Sequence, residues 1–210
     1  MRLALVICPQ WSIETPSFAI GSLKSHIKNK NTIVKQFDLN VESSLYVKEI
    51  DKDLFYDWGN DKPWNSKRTF VNNVLPILKD FWDSRIEELV KYDVVCFTTY
   101  TSNIMATDYI ARYLKERNKK IQIWYGGPHS WYSDCGGLVE DGKYREFVDV
   151  ACGSNEGETI IADLVNSYEK NKNYENINGI YRWDKMTPSF PTVLPKGRSG
   201  RTPVFNGNAR

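Results

Sequence analysis

Ile121-Gln122-Ile123-Trp124-Tyr125-Gly126-Gly127-Pro128-His129 decides how this chain is read. The first five residues make a short apolar run of strand length. Two adjacent glycines at its carboxyl end remove the Cβ atoms where the chain leaves the sheet. That permits positive φ and lets a flat ligand, or another backbone, come close to the main chain. Pro128 has no N–H with which to continue a ladder. In an open α/β sheet this is the edge where ligands bind. The plainer alternative is a strand exit that only requires a tight turn, and the stretch alone does not choose between the two.

The same strand-then-loop pattern recurs on both sides of this stretch. Leu3 to Cys8 is a continuous apolar run stopped by Pro9, as expected of a parallel strand covered on both faces. The loop from Pro9 to Pro16 leads into a helix over about Ser17–Asn29, with Ile20, Leu23 and Ile27 on one face. Ile33–Asn40 reads as a second, more polar strand, completing a βαβ unit. Asp93–Thr98 is the third strand and is followed by a helix over about Ile104–Arg117. Ala106, Tyr109, Ile110, Tyr113 and Leu114 form the apolar stripe of that helix. Phe147–Cys152 reads as the fifth strand, before a helix that carries Ile161, Leu164, Val165 and Tyr168. Asn178–Trp183 is read as a short edge strand or hairpin arm.

Strands that alternate with helices in this way predict a doubly wound α/β domain. The economical form is a five-stranded parallel sheet in the flavodoxin-like (Rossmann-like) order 2-1-3-4-5. Between Val41 and Thr69 the periodicity is lost among Tyr46, Phe55, Tyr56, Trp58 and Trp64. This segment is too aromatic for a disordered linker and reads as an insertion over the ligand edge or against another domain. Pro76 fits a first helical turn, so the long helix that ends near Tyr92 is expected to begin near Leu75. Residues 1–184 therefore form the domain, and 185–210, rich in Pro, Gly, Ser and basic residues, read as a linker or tail.

Composition narrows the function. Twenty-eight basic against twenty-six acidic side chains give a net charge of +2, too balanced for a nucleic-acid surface. No apolar run reaches membrane-span length and no signal peptide is visible, so a cytoplasmic protein is expected. Cys8, Cys96, Cys135 and Cys152 are scattered, and three of them lie in strand-like runs where a buried, reduced thiol is the expected state. GxGxxG and GxxxxGK[ST] are both missing, which removes the main support for dinucleotide and P-loop readings.

The order 2-1-3-4-5 brings the loops after strands one, three, four and five to one edge. Thr98, Thr99, Tyr100, Thr101, Ser102 and Asn103 follow strand three. A helix cap needs one such residue, so the surplus points to hydrogen bonds with a polar ligand. Gly153, Glu156, Gly157 and Glu158 surround another helix start, where free N–H groups could hold an anionic or amide-rich ligand. Glu158 also suits the helix dipole, and the carboxylates disfavour a bare phosphate. His26 reads as a surface or interhelix residue, and His129 alone cannot build a zinc site. No catalytic constellation is visible, which points to a binding domain.

With these loops in order, the chain from Met1 to about Trp183 resembles the N-terminal cobalamin-binding domain of cobalamin-dependent radical S-adenosylmethionine enzymes. The resemblance rests on Pro9, Pro16, Asp38-Leu39-Asn40, the third strand running to Thr101-Ser102-Asn103, Gly126-Gly127-Pro128-His129, Glu156-Gly157-Glu158 and Asn178–Arg182. It implies cobalamin over the carboxyl edge, with the nucleotide tail passing Gly126 and Gly127. Thr98 and Tyr100 would stand at a Ser-x-Leu element. The DxHxxG motif that gives cobalt a histidine is missing after strand one, so Gln10, Trp11 or Glu14 would face the metal and its axial ligand stays open. His129 is assigned to the pocket or to a backbone bond. Asn155 replaces a family glycine, at little cost because asparagine tolerates the left-handed region. The CxxxCxxC of the 4Fe-4S cluster is missing too. S-adenosylmethionine and the cluster would therefore belong to a separate catalytic domain, in cis or trans.

The expectation is a cofactor-carrying domain of a radical S-adenosylmethionine methyltransferase, without turnover of its own. The competing expectation is a flavodoxin-like regulatory or interaction module that binds no corrinoid. A third, an enzyme acting on a nucleotide or sugar, rests on fold analogy alone.

Overall fold

Strand β1 (Arg2–Ile7) alternates its apolar side chains between two separate cores. Ala4 and Val6 face one side of the sheet, while Leu3, Leu5 and Ile7 face the other, and all five are buried. A strand covered on both faces has no use for polar residues, which explains the continuous apolar run. Each large side chain so buried contributes roughly 1.5–3 kcal/mol. A computed structural model describes residues 1–14, 17–51, 62–132, 144–153 and 156–182 of the chain.

The other strands are β2 (Ile33–Asp38), β3 (Val94–Thr98), β4 (Gln122–Gly126), β5 (Val150–Cys152) and β6 (Ile180–Arg182). The sheet order is β2-β1-β3-β4-β5-β6. The first five strands are parallel, as the sequence predicts, and β6 adds an antiparallel edge beside β5. Helices α1 (Phe18–His26) and α8 (Gly157–Lys170) cover the face that carries Leu3, Cys96 and Trp124. The opposite face packs against α2 (Leu39–Ile50), α5 (Leu75–Leu89) and α6 (Ile104–Arg117). The short helices α3 (Lys62–Asn65), α4 (Lys67–Thr69) and α7 (Pro128–Tyr132) complete the set, and a π-helical turn over Phe70–Val74 runs into α5. Pro76 occupies the first turn of α5.

Three boundaries differ from the sequence reading. Leu39 and Asn40 begin a helix instead of ending a strand, because the Asp38 carboxylate accepts from Val41 N at 3.0 Å and caps α2. Helix α2 occupies the first part of the aromatic stretch 41–69. The described aromatic residues of that stretch pack onto the domain's own core: Trp64 is fully buried and Tyr46 stacks on Phe81. Phe55, Tyr56 and Trp58 lie outside the described residues. Finally, Phe147-Val148-Asp149 precede β5. Asp149 Oδ2 accepts from Ile123 N at 2.7 Å, so a side chain takes the place of a ladder partner.

Among the described residues, no helix is long and apolar enough to cross a membrane. Cys8, Cys96 and Cys152 are free and buried, whereas Cys135, Asn155, Trp183 and residues 185–210 fall outside the described set.

Candidate functional site

Thr99 joins the loops that follow β3 and β4. Its N–H and its hydroxyl both donate to Gly126 O, at 2.6 and 2.9 Å, and its hydroxyl also meets Ser130 Oγ at 2.8 Å. His129 N donates to Thr99 O at 3.0 Å. This contact requires Gly127. At its φ of +107°, a Cβ there would lie 2.7 Å from Thr99 O, closer than any side chain tolerates. Gly126 differs: its Cβ would come 3.7 Å from Cys152 Cβ, an ordinary contact. One glycine is required by the turn, and the other only leaves space.

That space belongs to a cavity of about 270 Å³ between the carboxyl ends of β3, β4 and β5 and the helices α1 and α8. Thr98, Tyr100, Gly126, Gly127, Pro128 and Gly157 line it, all of them residues the sequence singles out. Thr98 and Gly126 are direct neighbours in the β3–β4 register. A Cβ on Gly157 would only touch Leu23, at 3.8 Å. The remaining wall includes Ala19, Cys96, Trp124, Cys152 and apolar residues of α8. Period-two alternation in β3 and β4 could have pointed to Cys96 and Trp124, which share a face with Thr98 and Gly126.

The cavity is electrically quiet. No lysine or arginine lines it among the described residues. Burial pushes the Cys96 thiol up to about 12, with Cys152 nearby adding to the effect, so the thiol stays neutral. Burial also raises the Tyr100 phenol. Among the described residues Glu158 is the one acid in the wall, and its Oε1 accepts from Ser22 Oγ at 2.9 Å. A neutral, flat, mostly apolar group suits these walls, and a bare phosphate does not.

The other predicted residues do not line the cavity. Much of the hydroxyl surplus after β3 is used inside the fold. Asn103, fully buried, accepts from Tyr100 N at 2.8 Å and donates to Thr98 O at 3.0 Å. Ser102 Oγ donates to Gln10 O at 2.8 Å, which ties this loop to the one after β1. Thr101 is exposed, and so is Glu156, at the N-cap of α8 without a side-chain capping bond. Gly153 N donates to Gly179 O at 2.8 Å, between β5 and β6. Gln10 is buried and Glu14 exposed. Trp11 is 39% exposed and stacks on Tyr100, with ring centroids 4.2 Å apart and planes 20° from parallel. The stack forms a flat aromatic surface beside the cavity, and Tyr100 belongs to both.

Asn40 is a positioning residue that the sequence marked without giving it a role. Its Oδ1 accepts from Trp11 N at 3.0 Å and its Nδ2 donates to Ser12 O at 3.1 Å. Asp38 Oδ2 accepts from Ser17 N at 3.3 Å, just before α1. The junction of β2 and α2 therefore holds the loop after β1. Among the described residues no group of three or more His, Cys, Asp or Glu could hold a metal ion.

No family model and no curated sequence matches the chain. Solved structures do. The radical S-adenosylmethionine methyltransferase TsrM from Kitasatospora setae, with cobalamin and a 4Fe-4S cluster bound, matches 96% of this chain at a TM-score of 0.55 and 14% identity. The same enzyme with tryptophan substrate and the S-adenosylmethionine analogue aza-SAM matches 92% at a TM-score of 0.52 and 12% identity. In both cases the chain spans 30% of the length of the matched chain. The resemblance first met in the sequence holds for the fold: this is an α/β domain built like part of a radical S-adenosylmethionine methyltransferase that was solved with cobalamin bound.

Proposed function

We propose that this chain binds cobalamin as the cofactor-carrying domain of a radical S-adenosylmethionine enzyme that transfers methyl groups. The observation that carries the reading is the mostly apolar cavity at the carboxyl edge, where Gly126 and Gly157 present no side chain and neither glycine is demanded by the packing around it. The likeness of fold to TsrM supports it. The aromatic base of the nucleotide tail is the part of the cofactor that fits such walls, and the Trp11–Tyr100 stack offers a flat surface for the macrocycle beside it. Thr98 and Tyr100 would contact the tail, while Gln10, Ser102 and Asn103 serve by shaping the two loops. An indole N–H is a donor only, so Trp11 offers cobalt no lone pair. Methyl transfer at cobalt would be the cofactor's chemistry. The chain's part is to bind, to orient and to keep water from the buried group.

Reconstitution with hydroxocobalamin, desalting and a visible spectrum test this reading. The corrin chromophore is expected to stay with the protein, and replacing His129 with alanine should leave the spectrum unchanged. Loss of the chromophore on desalting would overturn the proposal.

A further inference from the structure

A second cavity, of about 350 Å³, opens at the opposite, amino-terminal edge of the sheet, where Gln122, Arg145, Asp149, Lys172, Tyr174 and Arg182 converge. They come from the start of β4, the turn before β5, the segment after α8 and the end of β6. Three of the six are cations. The one acid among them is already engaged: Asp149 accepts from Lys115 Nζ at 3.0 and 2.8 Å and from Ile123 N at 2.7 Å. Among the described residues neither Arg145 nor Lys172 is in a salt bridge.

Taken singly, each cation has an ordinary explanation. Lys172 lies just past a helix C-terminus, where positive charge is favoured. Its amine lies 4.7 Å over the Tyr168 ring, and the Arg182 guanidinium lies 5.1 Å over the Tyr174 ring. Two further observations fit these explanations poorly. Lys172 has a φ of +57°, and Lys172 N donates to Ser167 O at 2.9 Å. That is a helix-terminating position where glycine is the relaxed choice, so the lysine side chain is kept against a backbone preference. Tyr174 is 94% buried (6% exposed), and its Oη has no hydrogen-bond partner among the described residues. A buried donor without an acceptor is costly.

We propose that this edge binds a small molecule through a phosphate group, held by Arg145, Lys172 and Arg182, with the Tyr174 hydroxyl as a further donor. Positive charge gathered around one cavity draws an anion towards it, and a cavity of this size takes more than the phosphate itself. The site lies across the sheet from the mostly apolar cavity and does not depend on what that cavity binds.

Inorganic phosphate is the probe, added to the full chain and read by calorimetry and thermal shift against sodium chloride at equal ionic strength. Phosphate is expected to bind saturably and raise Tm, and chloride is not. Arg145→Gln and Lys172→Gly should each weaken phosphate binding roughly two- to fivefold, as fits exposed cations. Tyr174→Phe should weaken it about tenfold, by loss of a hydrogen bond to a charged acceptor. Lys172→Gly separates binding from folding, because glycine suits the left-handed backbone: its Tm without phosphate should not fall. The proposal is overturned if chloride reproduces the phosphate response, if succinate binds as tightly as phosphate, or if all three variants keep wild-type affinity. Cobalamin retention by the same variants should be unchanged.

Discussion

At Gly127 the carbonyl oxygen of Thr99 occupies the space that a side chain would need, and at Gly126 nothing does. The two glycines should therefore respond differently to the same substitution. Gly127→Ala is expected to cost about 1–3 kcal/mol or more, from the positive φ and the clash. Gly126→Ala should leave stability within about 1 kcal/mol while reducing retention of cobalamin, since the added methyl reaches into the cavity. Urea unfolding and the desalting assay read the two effects, and the reverse pattern would refute the assignment. From the sequence the pair could be flagged as one feature but not divided. The contact that divides it joins residues that follow different strands, and the bonds that absorb Ser102 and Thr99 likewise link segments distant in the chain. A hydroxyl looks available in a sequence when its partner lies 92 residues away.

Among the elements, α6 was legible because its apolar stripe follows the helical period over Ile104–Arg117. Helix α2 was not, and its buried face explains why. Leu39, Asn40, Ser43, Ser44 and Val47 are buried, so three of the five inward positions are polar and the period cannot be seen in hydrophobicity. Those polar groups have partners. Ser43 Oγ accepts from Trp82 Nε1 at 2.9 Å, with both side chains fully buried, and so bonds α2 to α5. Ser43→Ala should cost about 1–3 kcal/mol by stranding the indole N–H. A midpoint in urea equal to that of the wild type would show that the bond is dispensable. β5 was overextended in the sequence reading because Phe147 and Val148, though buried, lie outside the strand.

For the molecule as a whole, the topology was the most legible property, since connection rules leave few ways to arrange a β/α alternation. The clustering of charge was the least legible. Arg145, Lys172 and Arg182 are far apart in the chain, and a net charge of +2 gives no sign that they meet. The buried thiols supply a prediction at this scale. Burial pushes both Cys8 and Cys96 up to about 12, above their ordinary 9.0. A folded pKa above the unfolded one means that the native state holds the proton longer. The resulting stability is fully present below about pH 9 and is lost as pH rises toward 12. Urea midpoints should accordingly fall with pH across that window. In native buffer near neutral pH, iodoacetamide should leave Cys8 and Cys96 unmodified until urea is added. Labelling of the folded chain at the rate of a free thiol would contradict this.

The antiparallel sense of β6 has a consequence for reach. Because Arg182 pairs with Val150, the chain leaves β6 at the amino-terminal edge, on the far side of the sheet from Gly126. Any tether joined at that point would have to climb the height of a strand to bring something over the mostly apolar cavity. For the five-residue β4 that is roughly 17 Å, or about five extended residues, before the tether has any slack.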